Sequence, residues 1–204
     1  MSKPILFVAM ILIAANSKSQ TIAEQAPCIT DQEYAVIEKL ISTSHTNHQS
    51  NKTDGATPSL IWPVQAANGI KDCGIYQVSA YVDHNANVGQ IQDFNCGTNT
   101  YDGHRGTDIS TWPFNFIKMD NDLAEVVAAA DGTIIAVHDG EFDRNCSSNQ
   151  LTANYVIIEH SDGSRALYWH MKNGSVTKKT VNQTVVAGEH LGMVGSSGSS
   201  SGPH

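Results

Sequence analysis

The chain has 204 residues, 40% of them hydrophobic, and its 20 acidic against 12 basic side chains give a formal charge of −8. That acidity excludes a non-specific nucleic-acid binder, which must neutralise phosphates with Lys and Arg. The length suits one domain with a real core and room for a short arm.

Met1-Ser2-Lys3-Pro4 leads into Ile5 to Ala15, which contains no polar residue, and Asn16-Ser17-Lys18-Ser19-Gln20 follows. This apolar run is too short for the ~20 residues of a spanning helix. A positive start, a short apolar centre and a small-residue end predict a signal peptide over 1–19, cleaved between Ala15 and Gln20, and hence a secreted or periplasmic protein. Removing it takes Lys3 and Lys18 and no acid, so the charge moves from −8 to −10. Nothing after Ala15 is long and apolar enough to cross a membrane, so no span is expected in the mature chain. Cys28, Cys73, Cys96 and Cys146 are even in number and lack C-x-x-C spacing, which in an exported chain predicts two disulfides. All connectivities remain open, with Cys96–Cys146 preferred because both flank the expected core.

Residues 20–58 read as an N-terminal helix and linker. Ala35, Ile37, Leu40 and Ile41 give a short amphipathic helix over Thr30 to Leu40, with Thr30 and Glu33 spaced as a capping box. Ser42 to Pro58 is Ser, Thr, Asn, His and Gly, a linker composition in which His45 and His48 are solvated. From residue 59 onward, β-branched and aromatic runs alternate with glycine turns: Tyr76 to Val82, Gly132 to Val137, Tyr155 to Glu159 and Ala166 to His170. Asp131-Gly132, Asp139-Gly140 and Asp162-Gly163 mark turns, so most strands should pair antiparallel. The expected fold is mainly β, a twisted antiparallel sheet whose concave face carries the site, with a short N-terminal helical arm.

Three stretches carry chemistry. In Tyr101-Asp102-Gly103-His104-Arg105-Gly106-Thr107-Asp108 an imidazole and a carboxylate stand four residues apart, and the glycines around His104 indicate a turn rather than a helix. Zinc accepts both side chains, and a catalytic zinc needs three such protein ligands with a fourth position for water. In the second stretch, strand alternation sends Tyr168 and His170 to one face and Trp169 to the other. The third, Val185 to Gly195 followed by Ser196-Ser197-Gly198-Ser199-Ser200-Ser201-Gly202-Pro203-His204, is either a flexible Gly/Ser linker or a loop that delivers its last histidine. His84, His138, His160 and His190 read as structural or exposed.

These three blocks, in this order and spacing, resemble the lysostaphin- and LytM-like zinc metallopeptidases of the M23 family, over roughly Trp62 to His204. The resemblance implies a LytM-like (duplicated-hybrid-motif-like) peptidase domain over 59–204. It implies Zn2+ as cofactor, His104 and Asp108 as metal ligands, and His170 and His204 as catalytic histidines. In that family Gly-Pro-His continues Leu-His and the second histidine is the third ligand. This sequence stops at His204, so a C-terminally truncated domain that lacks the third zinc ligand is expected. The implied activity is endopeptidase cleavage of bacterial cell-wall peptidoglycan by a zinc-activated water. Two other readings stand beside it: an inactive LytM-like domain that binds or activates a wall hydrolase, and a carbohydrate-binding β-sandwich using Trp62, Trp112 and Trp169.

Overall fold

A computed structural model describes residues 29–47, 56–67, 69–71 and 74–204. The signal segment, Cys28, His48 and Cys73 lie outside the described residues. The first helix, α1 (Asp31–Asn47), begins with the expected capping box. The Glu33 amide donates to Thr30 Oγ1 at 3.2 Å, and the Thr30 amide and hydroxyl donate to Glu33 Oε2 at 2.9 and 3.0 Å. The helix runs on to Asn47, where a linker was expected from Ser42 onward. Ser42 and Thr43 turn their hydroxyls back onto the Lys39 carbonyl, a bond that helical backbone accommodates.

Among the described residues nine strands follow: β1 (Val64–Ala66), β2 (Tyr76–Ala80), β3 (Asp108–Thr111), β4 (Ala124–Val127), β5 (Gly132–His138), β6 (Tyr155–Glu159), β7 (Arg165–Tyr168), β8 (Thr184–Val185) and β9 (His190–Met193). Every pairing is antiparallel, as expected, but the strands are shared among three sheets, β1-β4-β9, β2-β3 and β7-β6-β5-β8. Asp131-Gly132 is therefore no hairpin turn, since β4 and β5 on either side of it join different sheets. Asp139-Gly140 opens a long excursion over 139–154. Asp162-Gly163 does close a tight hairpin, between β6 and β7, with the His160 amide 2.8 Å from the Ser164 carbonyl. A short helix that the sequence did not suggest, α2 (Asn115–Asp120), follows β3.

The strand β6 explains the packing. Val156 and Ile158 face Ile134, Val126, Tyr168 and Leu191 in the main core, while Ile157 joins Ile135, Ala136 and Ile37 of α1 on the other side. Both faces are covered, so the strand reads as a continuous apolar run rather than an alternation. Each of its three central side chains is fully buried, a contribution of roughly 1.5–3 kcal/mol apiece.

The structure decides between the two readings of the serine-rich tail and overturns the preferred disulfide. The Gly/Ser stretch is interior, not a flexible linker: Ser196, Ser197, Ser199 and Ser200 are buried. A Cβ on Gly195 would lie 2.3 Å from the Lys172 nitrogen, and one on Gly198, at φ 69, would lie 2.8 Å from the Ala153 Cβ. Those glycines let two backbones touch. The preferred Cys96–Cys146 disulfide is not formed. Both are exposed free thiols on separate loops, Cys96 in the turn closed by Asp93 and Cys146 beside the Arg144 carbonyl.

Candidate active site

Asp108 opens β3 opposite Ala80 of β2, so its carboxylate stands where the two-stranded sheet begins. The loop before it is built on two other carboxylates. Asp83 accepts the amides of Asn85 and Gln92 on one oxygen and that of Gly103 on the other. Asp93 accepts the amides of Asn95, Gly97 and Asn99. Both are held below the ordinary carboxylate pKa. For Asp83 burial works upward and the amides overcome it; for Asp93 the Gly97 and Asn99 amides dominate. These saturated carboxylates shape the chain that returns at His104, whose ring stacks on Tyr101 at 4.2 Å.

His104 is 4% exposed, and both of its ring nitrogens meet acceptors: Nδ1 the Tyr81 carbonyl at 2.7 Å, Nε2 the Asp108 Oδ1 at 3.0 Å. A neutral imidazole has a single N–H. Once that proton serves Tyr81, Nε2 and the carboxylate present lone pairs to each other, which a proton or a cation between them resolves. Bonds of 2.0–2.2 Å to a tetrahedral zinc put two ligand atoms about 3.4 Å apart, so this pair is close to metal-bridging geometry. The carbonyl behind Nδ1 is the orienting contact that ligand histidines use.

His170 does not extend strand β7, as had been expected; the strand ends at Tyr168 and His170 has φ 58. Tyr168 turns into the main core and Trp169 to the α1 side, as alternation requires, but His170 is placed by the serine loop. Its Nδ1 meets the Ser197 carbonyl at 2.6 Å, and its buried Nε2 has no hydrogen-bond partner. Burial, then the neighbouring His204 charge, pushes its pKa down to about 3, so the ring is neutral. His204 repeats the pattern, with Nδ1 2.7 Å from the Gly202 carbonyl and Nε2 3.8 Å from Asp108 Oδ1. The His170 and His204 rings are 4.7 Å apart. Burial raises the Asp108 pKa, but the His104 hydrogen bond, helped by the other imidazoles around it, outweighs burial and leaves the carboxyl low.

The structure thus brings together all four residues singled out from sequence, in one cleft of about 750 Å³. Among the described residues no group of three His, Cys, Asp or Glu side chains is disposed to hold a metal ion. Several partners were not foreseen. Asn154, wholly buried, ties the Glu141 and Met171 backbones together, and the Tyr168 hydroxyl accepts the Ala129 amide at 2.7 Å. Ile29 and Tyr34 of the N-terminal arm wall the cleft, and no motif announced them. Of the tryptophans named as sugar platforms, Trp62 and Trp169 each have a face stacked on a tyrosine, Tyr76 and Tyr155. Three other histidines are engaged elsewhere: His138 with Glu141, His190 with Glu125, and His160, buried, with the Asp131 carbonyl.

An antiparallel β framework that brings three imidazoles and a carboxylate to one cleft has the equipment of a hydrolytic site. The sequence model of Peptidase family M23 matches residues 103–204, the part that contains all four. The chain belongs to that family and carries a peptidase domain; M23 peptidases are metallopeptidases, generally zinc-dependent.

Proposed function

We propose that the protein is an exported zinc metalloendopeptidase that hydrolyses peptide bonds of bacterial cell-wall peptidoglycan. The observation that carries this reading is the His104–Asp108 pair, aligned on the Tyr81 carbonyl, with His170 and His204 lining the same cleft. His104 and Asp108 would be two of the zinc ligands. A zinc ion there supplies Lewis acidity and acidifies water near neutral pH. His170, locked by Ser197, and His204 would each offer Nε2 to the attacking water, and the proton taken from it would be returned by the same imidazole to the departing amine.

A second reading has its own support: with two ligands rather than three among the described residues, an inactive family member that activates another wall hydrolase would keep this fold. Zinc content and turnover decide between them. Purified protein, alone and with Leu-His appended after His204, is assayed for bound zinc and for release of amines from purified peptidoglycan. The peptidase reading expects about one zinc per chain in at least the extended protein, and activity that chelator abolishes and zinc restores. Absence of both from both proteins would leave the activator.

A further inference from the structure

The cleft holds a cation beside the metal pair that the chemistry above does not use. Arg105 follows His104 directly, lines the cleft, and has a side chain 55% exposed. Its guanidinium carbon lies 4.1 Å from the centre of the Tyr34 ring of α1. A flat ring under a flat cation restricts a long side chain while leaving its N–H edge available. The ion-pair partner is Asp31, 3.6 Å away and itself 95% exposed, a contact water weakens. Of the acids in the same loop, Asp102 accepts the Gly89 amide and Asp108 pairs with His104. Arg165, the other arginine lining the cleft, is held by Glu159 through two nitrogens, at 3.0 and 2.7 Å.

We propose that Arg105, seated on Tyr34, is the specificity-determining anion handle of the cleft and selects peptides bearing a free carboxylate close to the bond that is cut. The proposal rests on the reading of this cleft as the peptide-binding site. The N-terminal helix thereby takes part in substrate recognition, since without Tyr34 the guanidinium has no seat. A fork of N–H donors fits the two oxygens of a carboxylate and has nothing equivalent to offer a carboxamide.

The test is equilibrium binding to the chain as purified, in the presence of chelator, so that turnover plays no part. The probes are blocked alanine hexapeptides with one glutamate moved through the sequence, each paired with its glutamine twin. At one or two positions the glutamate peptide should bind about fivefold to tenfold tighter than its twin, as a partly exposed charge-assisted contact allows. Arg105→Gln should remove that preference while leaving affinity for the glutamine peptides unchanged, which also shows the cleft intact. Arg105→Lys should retain part of it, and Tyr34→Ala should reduce it with the charge still present. Equal affinity for both twins at every position, or a preference that survives Arg105→Gln, overturns the proposal. Wall hydrolysis without carboxylate preference would sink this inference and leave the peptidase standing; preference without hydrolysis would do the reverse.

Discussion

Two loops deliver the histidines of this cleft, and they are built on opposite principles. The loop over 81–104 is held from within by carboxylates, each of Asp83 and Asp93 gathering three backbone amides. The loop over 195–204 is held by contact: glycines where backbones touch and buried serines bonded to Met171, Asn154 and Asn145. One should tolerate shape changes and fail with charge, the other should tolerate charge changes and fail with shape. The consequence for function is that each loop holds its histidine by Nδ1 on a carbonyl, so distortion of either misaims an Nε2.

The largest effect should come from Gly195→Ala. The new methyl would stand within 2.6 Å of the backbone of Met171 and Lys172, where no side chain can yield. A loss of about 3 kcal/mol or failure to fold is expected, measured by thermal or urea unfolding; a fully stable variant would show that the loop can move away.

Next are the histidines themselves. In the protein extended with Leu-His, His170→Ala should lower kcat by about 10²–10⁴ while zinc stays bound, because the role proposed for it is proton movement. His104→Ala should release the zinc. Metal analysis alongside kinetics separates the two, and loss of zinc from the His170 variant would reverse the assignment of ligand and catalyst.

Acid should then distinguish the loops. The Asp83 and Asp93 carboxyls titrate below their ordinary value in the folded protein, so their stabilisation is complete above about pH 4 and vanishes as pH falls through the lowered values. Hydrogen exchange, corrected for intrinsic rates, should show the amides of Gln92, Gly97, Asn99 and Gly103 losing protection before those of Asn154 and His204. Simultaneous loss would mean the loops melt as one unit. Asp83→Asn should reproduce the acid effect at neutral pH, lowering Tm by about 2–4 °C.

The smallest change is expected at Cys146, whose exposed thiol reaches only the Arg144 carbonyl at 3.8 Å. Cys146→Ser should alter stability by less than about 0.5 kcal/mol; a drop of several kcal/mol would indicate a disulfide after all.

Much of the framework was legible in the chain because it depends on short-range rules. Tyr155 to Glu159 is a strand because Val156, Ile157 and Ile158 run there without a break, α1 is capped at Thr30 because Glu33 lies three residues on, and His104 sits in a turn because glycines flank it. The spacing of His104, Asp108, His170 and Pro203-His204 carried the family resemblance, since each motif is local even where the site is not. What the tertiary structure decided is everything that depends on which surfaces meet. Periodicity does not distinguish a solvated serine tract from one buried against Ala153 and Lys172, and strand alternation cannot register that His170 leaves the strand at a positive φ. Nor does composition show that a helix on the outer face of one sheet carries Tyr34 to the mouth of the cleft, because packing sets that contact across residues far apart in sequence.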